Sequence, residues 1–263
     1  MVDALSRALS AGVPLPEIKK MQASGLSIEE IADAAERVQD RGEEEIAESV
    51  RPGDFSDAGN AEKFRGLNEG RLLYTDSRGW LCWNGIRWEA DDHKATKRAV
   101  HMSDKMLEEA QDAYRAALHA QADAKAEGDR EAAEQAAEAV KREKAYLTHA
   151  MRTRGERQIR AAMSLAKHLL AVDPAKLDAN LWELNTPKGI INLKTGEIRP
   201  CDKAAMCTKV TACGPGSAGA EMWCKFLYDV TGGDSSFIAY LQMLAGMALF
   251  GRVYEEGIVL AYG

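Results

Sequence analysis

The chain has 263 residues, 46% hydrophobic and 29% charged, enough for one large or two small domains with a real core. Its formal net charge of −7 argues against a freestanding DNA-coating protein, which needs an overall basic balance. No apolar run approaches the ~20 residues of a membrane span. The opening MVDALSRALSAGVPLPE lacks the form of a secretory signal, and five irregularly spaced cysteines make no disulfide framework, so the chain reads as cytoplasmic.

In chain order, residues 1–48 read as a helical segment. Ser27 and Glu30 are spaced as a capping box, and Ile28, Ile31, Ala35 and Val38 share one face. Residues 14–40 have the helix–turn–helix shape of a DNA reader, but Glu29, Glu30, Asp33 and Glu36 make the second helix acidic. A small packing hairpin is the better reading. Residues 49–57 are a linker punctuated by Pro52 and Gly53, followed by a short helix that Asp57 or Asn60 would cap.

Residues 71–89 predict a small antiparallel β-meander with strands near 71–75, 79–83 and 86–89. Asp76–Gly79 forms its first turn, and Asn84-Gly85 its second, as a type I′ turn. Residues 94–150, rich in Ala, Glu, Lys, Gln and Arg, predict a long helical hairpin broken at Glu127-Gly128-Asp129. Its thin, alanine-rich apolar stripe predicts close helix approach. A helix over Glu156–Val172 comes next, opening a mixed segment to residue 257. That segment holds a second β-hairpin (Ile190–Leu193 and Glu197-Ile198), a strand over Thr208–Ala212, and helices over 220–230 and 235–251. Residues 258–263 read as an apolar strand ending in glycine. The fold class is therefore α+β, mostly helical, with residues 54–257 as one module.

Several motifs bear on chemistry. Gly214-Pro215-Gly216-Ser217-Ala218-Gly219 matches G-x-G-x-x-G, but a helix follows where a dinucleotide fold needs a second parallel strand, and Pro215 removes an N–H donor. It reads as a plain loop. Cys201, Cys207, Cys213 and Cys224 lack the C-x-x-C pairs of structural zinc sites and read as buried thiols; no metal is expected. No catalytic motif occurs, and the histidines at 93, 101, 119, 149 and 168 read as solvated helix-surface residues. Charge distribution says more. Acids outnumber bases by about six from Glu108 to Glu138, and bases outnumber acids by about six from Lys141 to Lys167. Lys141, Arg142, Lys144, Arg152, Arg154, Arg157, Arg160 and Lys167 are the candidate nucleic-acid contacts. A solvated face paired with the preceding acids is the other reading.

Asn60-Ala61-Glu62-Lys63-Phe64, Trp83-Asn84-Gly85-Ile86-Arg87-Trp88 and Leu193-Lys194-Thr195-Gly196-Glu197, in this order from about Asp57 onward, resemble the phage/plasmid primase–helicase family, which includes poxvirus and satellite-phage members. FLYDVTGGDSSFIAYLQMLAGMALFGRVYEEGIVLAYG resembles the end of the family's pre-helicase module, which runs into the P-loop of a superfamily 3 ATPase; Gly263 then matches the loop's first glycine. The resemblance implies a hexameric, ATP- and Mg²⁺-dependent DNA helicase. The present residues would be its N-terminal module, engaging single-stranded or forked DNA and assembling the ring, with no cofactor of their own and no ATPase activity. A non-enzymatic adaptor, binding a protein through the acidic hairpin, is the alternative.

Overall fold

The computed structural model describes residues 49–251, together with Ser27 and Ile28. The helices and helix–turn–helix expected over 1–48, and the strand over 258–263 with Gly263, lie outside those residues. Elements in order are α1 (Asp57–Asn68), β1 (Leu72–Thr75), β2 (Gly79–Trp83), β3 (Trp88–Ala90), α2 (Asp92–Glu127), α3 (Arg130–Thr153), α4 (Glu156–Leu169), β4 (Glu183–Thr186), β5 (Gly189–Asn192), β6 (Ile198–Arg199), α5 (Ala220–Thr231) and α6 (Ser235–Met247). Two antiparallel three-stranded sheets, β1-β2-β3 and β4-β5-β6, accompany a helical majority. The α+β expectation holds.

The described residues fall into two compact units, one of 49–83 with 89–174, the other of 84–88 with 175–251. In the first, α2 and α3 form the long hairpin. Gly128 ends α2 in a left-handed conformation (φ 74°) that spares it the Cβ penalty, and the Asp129 side chain accepts from Ala132 N to start α3. Ala95, Ala99, Met102, Met106 and Ala110 of α2 are buried with Tyr146 and Ala150 of α3. The small side chains let the helices approach closely, while the methionines fill the gaps. The same core takes in Phe64 of α1, Leu72 and Trp80 of the first sheet, and Met163 and Ala166 of α4. Trp80 meets the rings of Phe64 and Tyr74 edge-on, centroids 6.1 and 5.3 Å away.

Three local expectations are corrected by the structure. Ser56, rather than Asp57 or Asn60, caps α1 by accepting from Gly59 N. The β2–β3 connection is longer than a two-residue turn because the Asn84 carboxamide oxygen accepts from both Ile86 N and Arg87 N, delaying β3 to Trp88. α4 stops at Leu169 because the chain then becomes extended, with Ala171 bridging Tyr74 of β1 in parallel.

In the second unit the expected hairpin gains a strand, β4, which pairs with β5 from Glu183↔Asn192 to Thr186↔Gly189. Residues 208–212 are not a strand. Their polar groups are satisfied otherwise: Thr208 N donates to Asp178 Oδ1, and Thr211 N to Asn185 O. Buried Trp88 is anchored by its indole N–H, which donates to Lys203 O at 3.0 Å. No helix among the described residues is long and apolar enough to cross a membrane.

Candidate nucleic-acid interface

All eight candidate cations lie in the first unit, on α3, on α4 and at the junction between them. At 100° per residue, Lys141, Lys144 and Arg152 share one side of α3, spread over roughly 16 Å of helix. The structure separates occupied cations from available ones. Lys141 is 2.6 Å from Glu138 and holds that carboxyl below its usual pKa range. Arg142 sits 3.8 Å from Glu143, Arg154 is 2.8 Å from Asp104 of α2, and Arg160 lies against Glu156 one turn back. Lys167 lies over the Tyr74 ring, 4.9 Å from its centroid. Lys144, Arg152 and Arg157 are exposed and have no acid partner among the described residues. The basic stretch is therefore partly a paired face and partly an open one.

Between the first half of α2 and the start of α4 runs a groove of about 470 Å³. Val100, Ile159 and Met163 give it an apolar floor, and Asp104, Arg154, Glu156 and Arg160 form a charged rim. Sequence reasoning missed this groove because its two walls are separated by some fifty residues of chain. Its only local signal is the matching spacing of Thr96, Val100, Ser103 and Asp104 on α2 and of Glu156, Ile159, Arg160 and Met163 on α4, each a single helix face.

Behind the basic ridge lies a buried polar knot, which corrects a further expectation. His149 is not a solvated surface residue but buried at the α3–α1 contact. Its Nε2 lies 2.9 Å from Asn60 Oδ1; Asn60 Nδ2 donates to Thr153 Oγ1, and Thr153 Oγ1 donates to His149 O. This closed ring of bonds places the imidazole proton on Nε2 and leaves buried Nδ1 without a partner. Burial, helped by nearby Arg152 and opposed by Asp57 and Asp54, lowers the His149 pKa. A folded pKa below the unfolded one means that the unfolded chain binds the extra proton first. Stability should be complete above the ordinary value of 6.5 and fall as pH drops through it toward the folded pKa. His149→Gln keeps a donor for Asn60 and cannot titrate. Denaturant midpoints measured from pH 8 to 5 should show a steeper loss for the wild type than for the variant; parallel curves would contradict the assignment.

The remaining motifs are structural. Within the 214–219 loop, Pro215 offers its carbonyl to Lys188 Nζ at 2.9 Å, so the loop presents an acceptor to a cation where a phosphate cradle needs donors. Cys207 is buried, and its pKa is pushed up to about 11 by that burial. Cys201 is half-buried beside Asn185 with its pKa also raised, while Cys213 and Cys224 are exposed. Thiols in such different settings form no ligand set, and the exposure of Cys213 and Cys224 corrects the expectation of four buried thiols. Among the described residues no group of three or more His, Cys, Asp or Glu is placed to hold a metal.

The described residues form a mostly helical α+β fold with a long hairpin and two minor sheets. The chain belongs to the family described as D5 N terminal like, whose model matches residues 61–232. That domain occurs in phage and plasmid primase–helicase proteins as an N-terminal, non-catalytic module. No curated protein matches the chain.

Proposed function

We propose that the chain is the DNA-engaging and ring-assembling module of a phage- or plasmid-type replication helicase. On this reading ATP and Mg²⁺ belong to a superfamily 3 ATPase domain, as the likeness of GIVLAYG to a strand entering a P-loop implies. The observation that carries the reading is the exposed set Lys144, Arg152 and Arg157, left without acid partners among the described residues on a chain of net charge −7. An acidic protein that keeps one open cationic ridge uses it locally. The experiment is fluorescence anisotropy with single-stranded and forked DNA across a salt series. The logarithm of the association constant should fall linearly with the logarithm of salt. Binding that is absent, or insensitive to salt, would leave the ridge as a solvated face.

Self-association has its own support in the second unit. On α5 and α6, Met222, Trp223, Phe226, Tyr228, Phe237, Tyr240 and Met243 are each between 46% and 76% exposed, while Leu227 alone is buried. No charged residue occurs between Ser235 and Gly251. A helix this apolar all round belongs in a covered site. The side chains involved expose on the order of 800 Å², about what one partner contributes to a standard interface. A second copy of the chain, as the neighbouring subunit of a ring, is the occupant that fits the helicase reading. The double variant Trp223→Glu, Met243→Glu should shift the sedimentation coefficient to that of the monomer without changing the circular dichroism; a wild type that is already monomeric at high concentration would refute this.

A further inference from the structure

We propose that the groove between α2 and α4 is a seat for one unpaired nucleotide of a single strand, its base on the apolar floor and its phosphates on the arginine rim. The proposal deepens the DNA-binding reading and rests on it. Three observations converge. The volume of about 470 Å³ lies within the roughly 300–1,000 Å³ of small-ligand sites. Val100, 40% exposed, lines the groove with Ile159 and Met163. This gives a base the dry contact that a phosphate does not need. Arg154 and Arg160 stand at the edge, each turned toward a carboxylate, Asp104 or Glu156.

Those two ion pairs join exposed groups and are weak, so a phosphodiester can take over the guanidinium forks. Arg152 and Arg157, close by in the chain, are exposed and without acid partners among the described residues, so further phosphates of the same strand have cations to meet. A base held in a duplex stack cannot reach a groove recessed between two helices, whereas an unstacked one can. The ridge on α3 then tracks the backbone on one side of the seat.

The test compares the full chain's affinity for a short oligothymidylate, an abasic strand of equal length, and a duplex of equal length. Oligothymidylate should bind about fivefold tighter than the abasic strand, the gain expected from burying roughly 40 Å² of apolar base surface. Val100→Gln, at an exposed position and neutral, should abolish that gain, bringing oligothymidylate down to the affinity of the abasic strand. Asp104→Asn, which frees Arg154, should tighten both single strands about twofold or more. Equal affinity for thymidylate and abasic strands overturns the seat while leaving phosphate binding intact; tighter duplex binding also overturns it. Displacement of the oligonucleotide by an equal concentration of thymidine monophosphate would mean a site for free nucleotides instead. Absence of any salt-dependent binding sinks the parent reading, so the two failures are distinguishable.

Discussion

Tyr146→Ala should cost the first unit about 3–5 kcal/mol, the usual loss for emptying a buried aromatic site. Tyr146 is fully buried in α3, and its ring supports the chain that leads into α1. Phe55 stacks on it at 5.6 Å and on His149 at 4.9 Å, and the Arg51 guanidinium lies 4.4 Å from the Tyr146 centroid while reaching Glu143 at 2.8 Å. Glu109 of α2 fastens the other end, accepting from Ser49 Oγ and Val50 N at 2.7 and 2.8 Å. Burial beside Glu109 pushes the phenol pKa well above its ordinary value, so the hydroxyl stays protonated across the working range. The ring, not the hydroxyl, is therefore expected to dominate. The Tyr146 hydroxyl meets no hydrogen-bond partner among the described residues, so Tyr146→Phe should change stability by about 0.5 kcal/mol or less, whereas Tyr146→Ala should also expose residues 49–56 to protease. Urea denaturation of both variants decides it: equal losses would mean that the hydroxyl, and not the stacked platform, holds the segment.

The parts of this architecture that are legible in the sequence are those fixed by local chemistry. Glu127-Gly128-Asp129 breaks the hairpin because glycine accepts a left-handed turn and aspartate caps the start of α3. The alanine stripe on α2 announces close packing before any partner is known. The misread parts depend on distant partners. Asn60 looks like a helix cap, yet it is 1% exposed and committed to His149, eighty-nine positions away. β4 escapes a periodicity search because its most deeply buried residues are Asn185 and Thr186, whose side chains are satisfied by Ile86 O, Lys209 O and Gly189 O. The same limit applies to the interface. Eight cations along successive helices can be read from sequence, but only the fold shows that Asp104, fifty residues earlier, occupies Arg154.

That distinction between occupied and open cations makes the second large prediction sharper than a count of charges. Lys144→Ala, Arg152→Ala and Arg157→Ala combined should flatten the salt dependence of single-strand binding by about two units, at roughly 0.7 for each phosphate no longer neutralised. The matched set Arg130→Ala, Lys141→Ala and Arg142→Ala removes the same charge from cations that already face carboxylates. It should flatten the slope by clearly less, because those acids are unmasked but fewer counterions are released. Both sets lie on exposed helix surface, where such changes stay within about 0.5 kcal/mol of stability per site, so folding does not confound the comparison. Identical slopes for the two triple variants would show that DNA responds to the net charge of the region, and that the geometry of the ridge is irrelevant. A larger effect from the paired set would place the phosphate path along the part of α3 bearing Arg130 and Lys141.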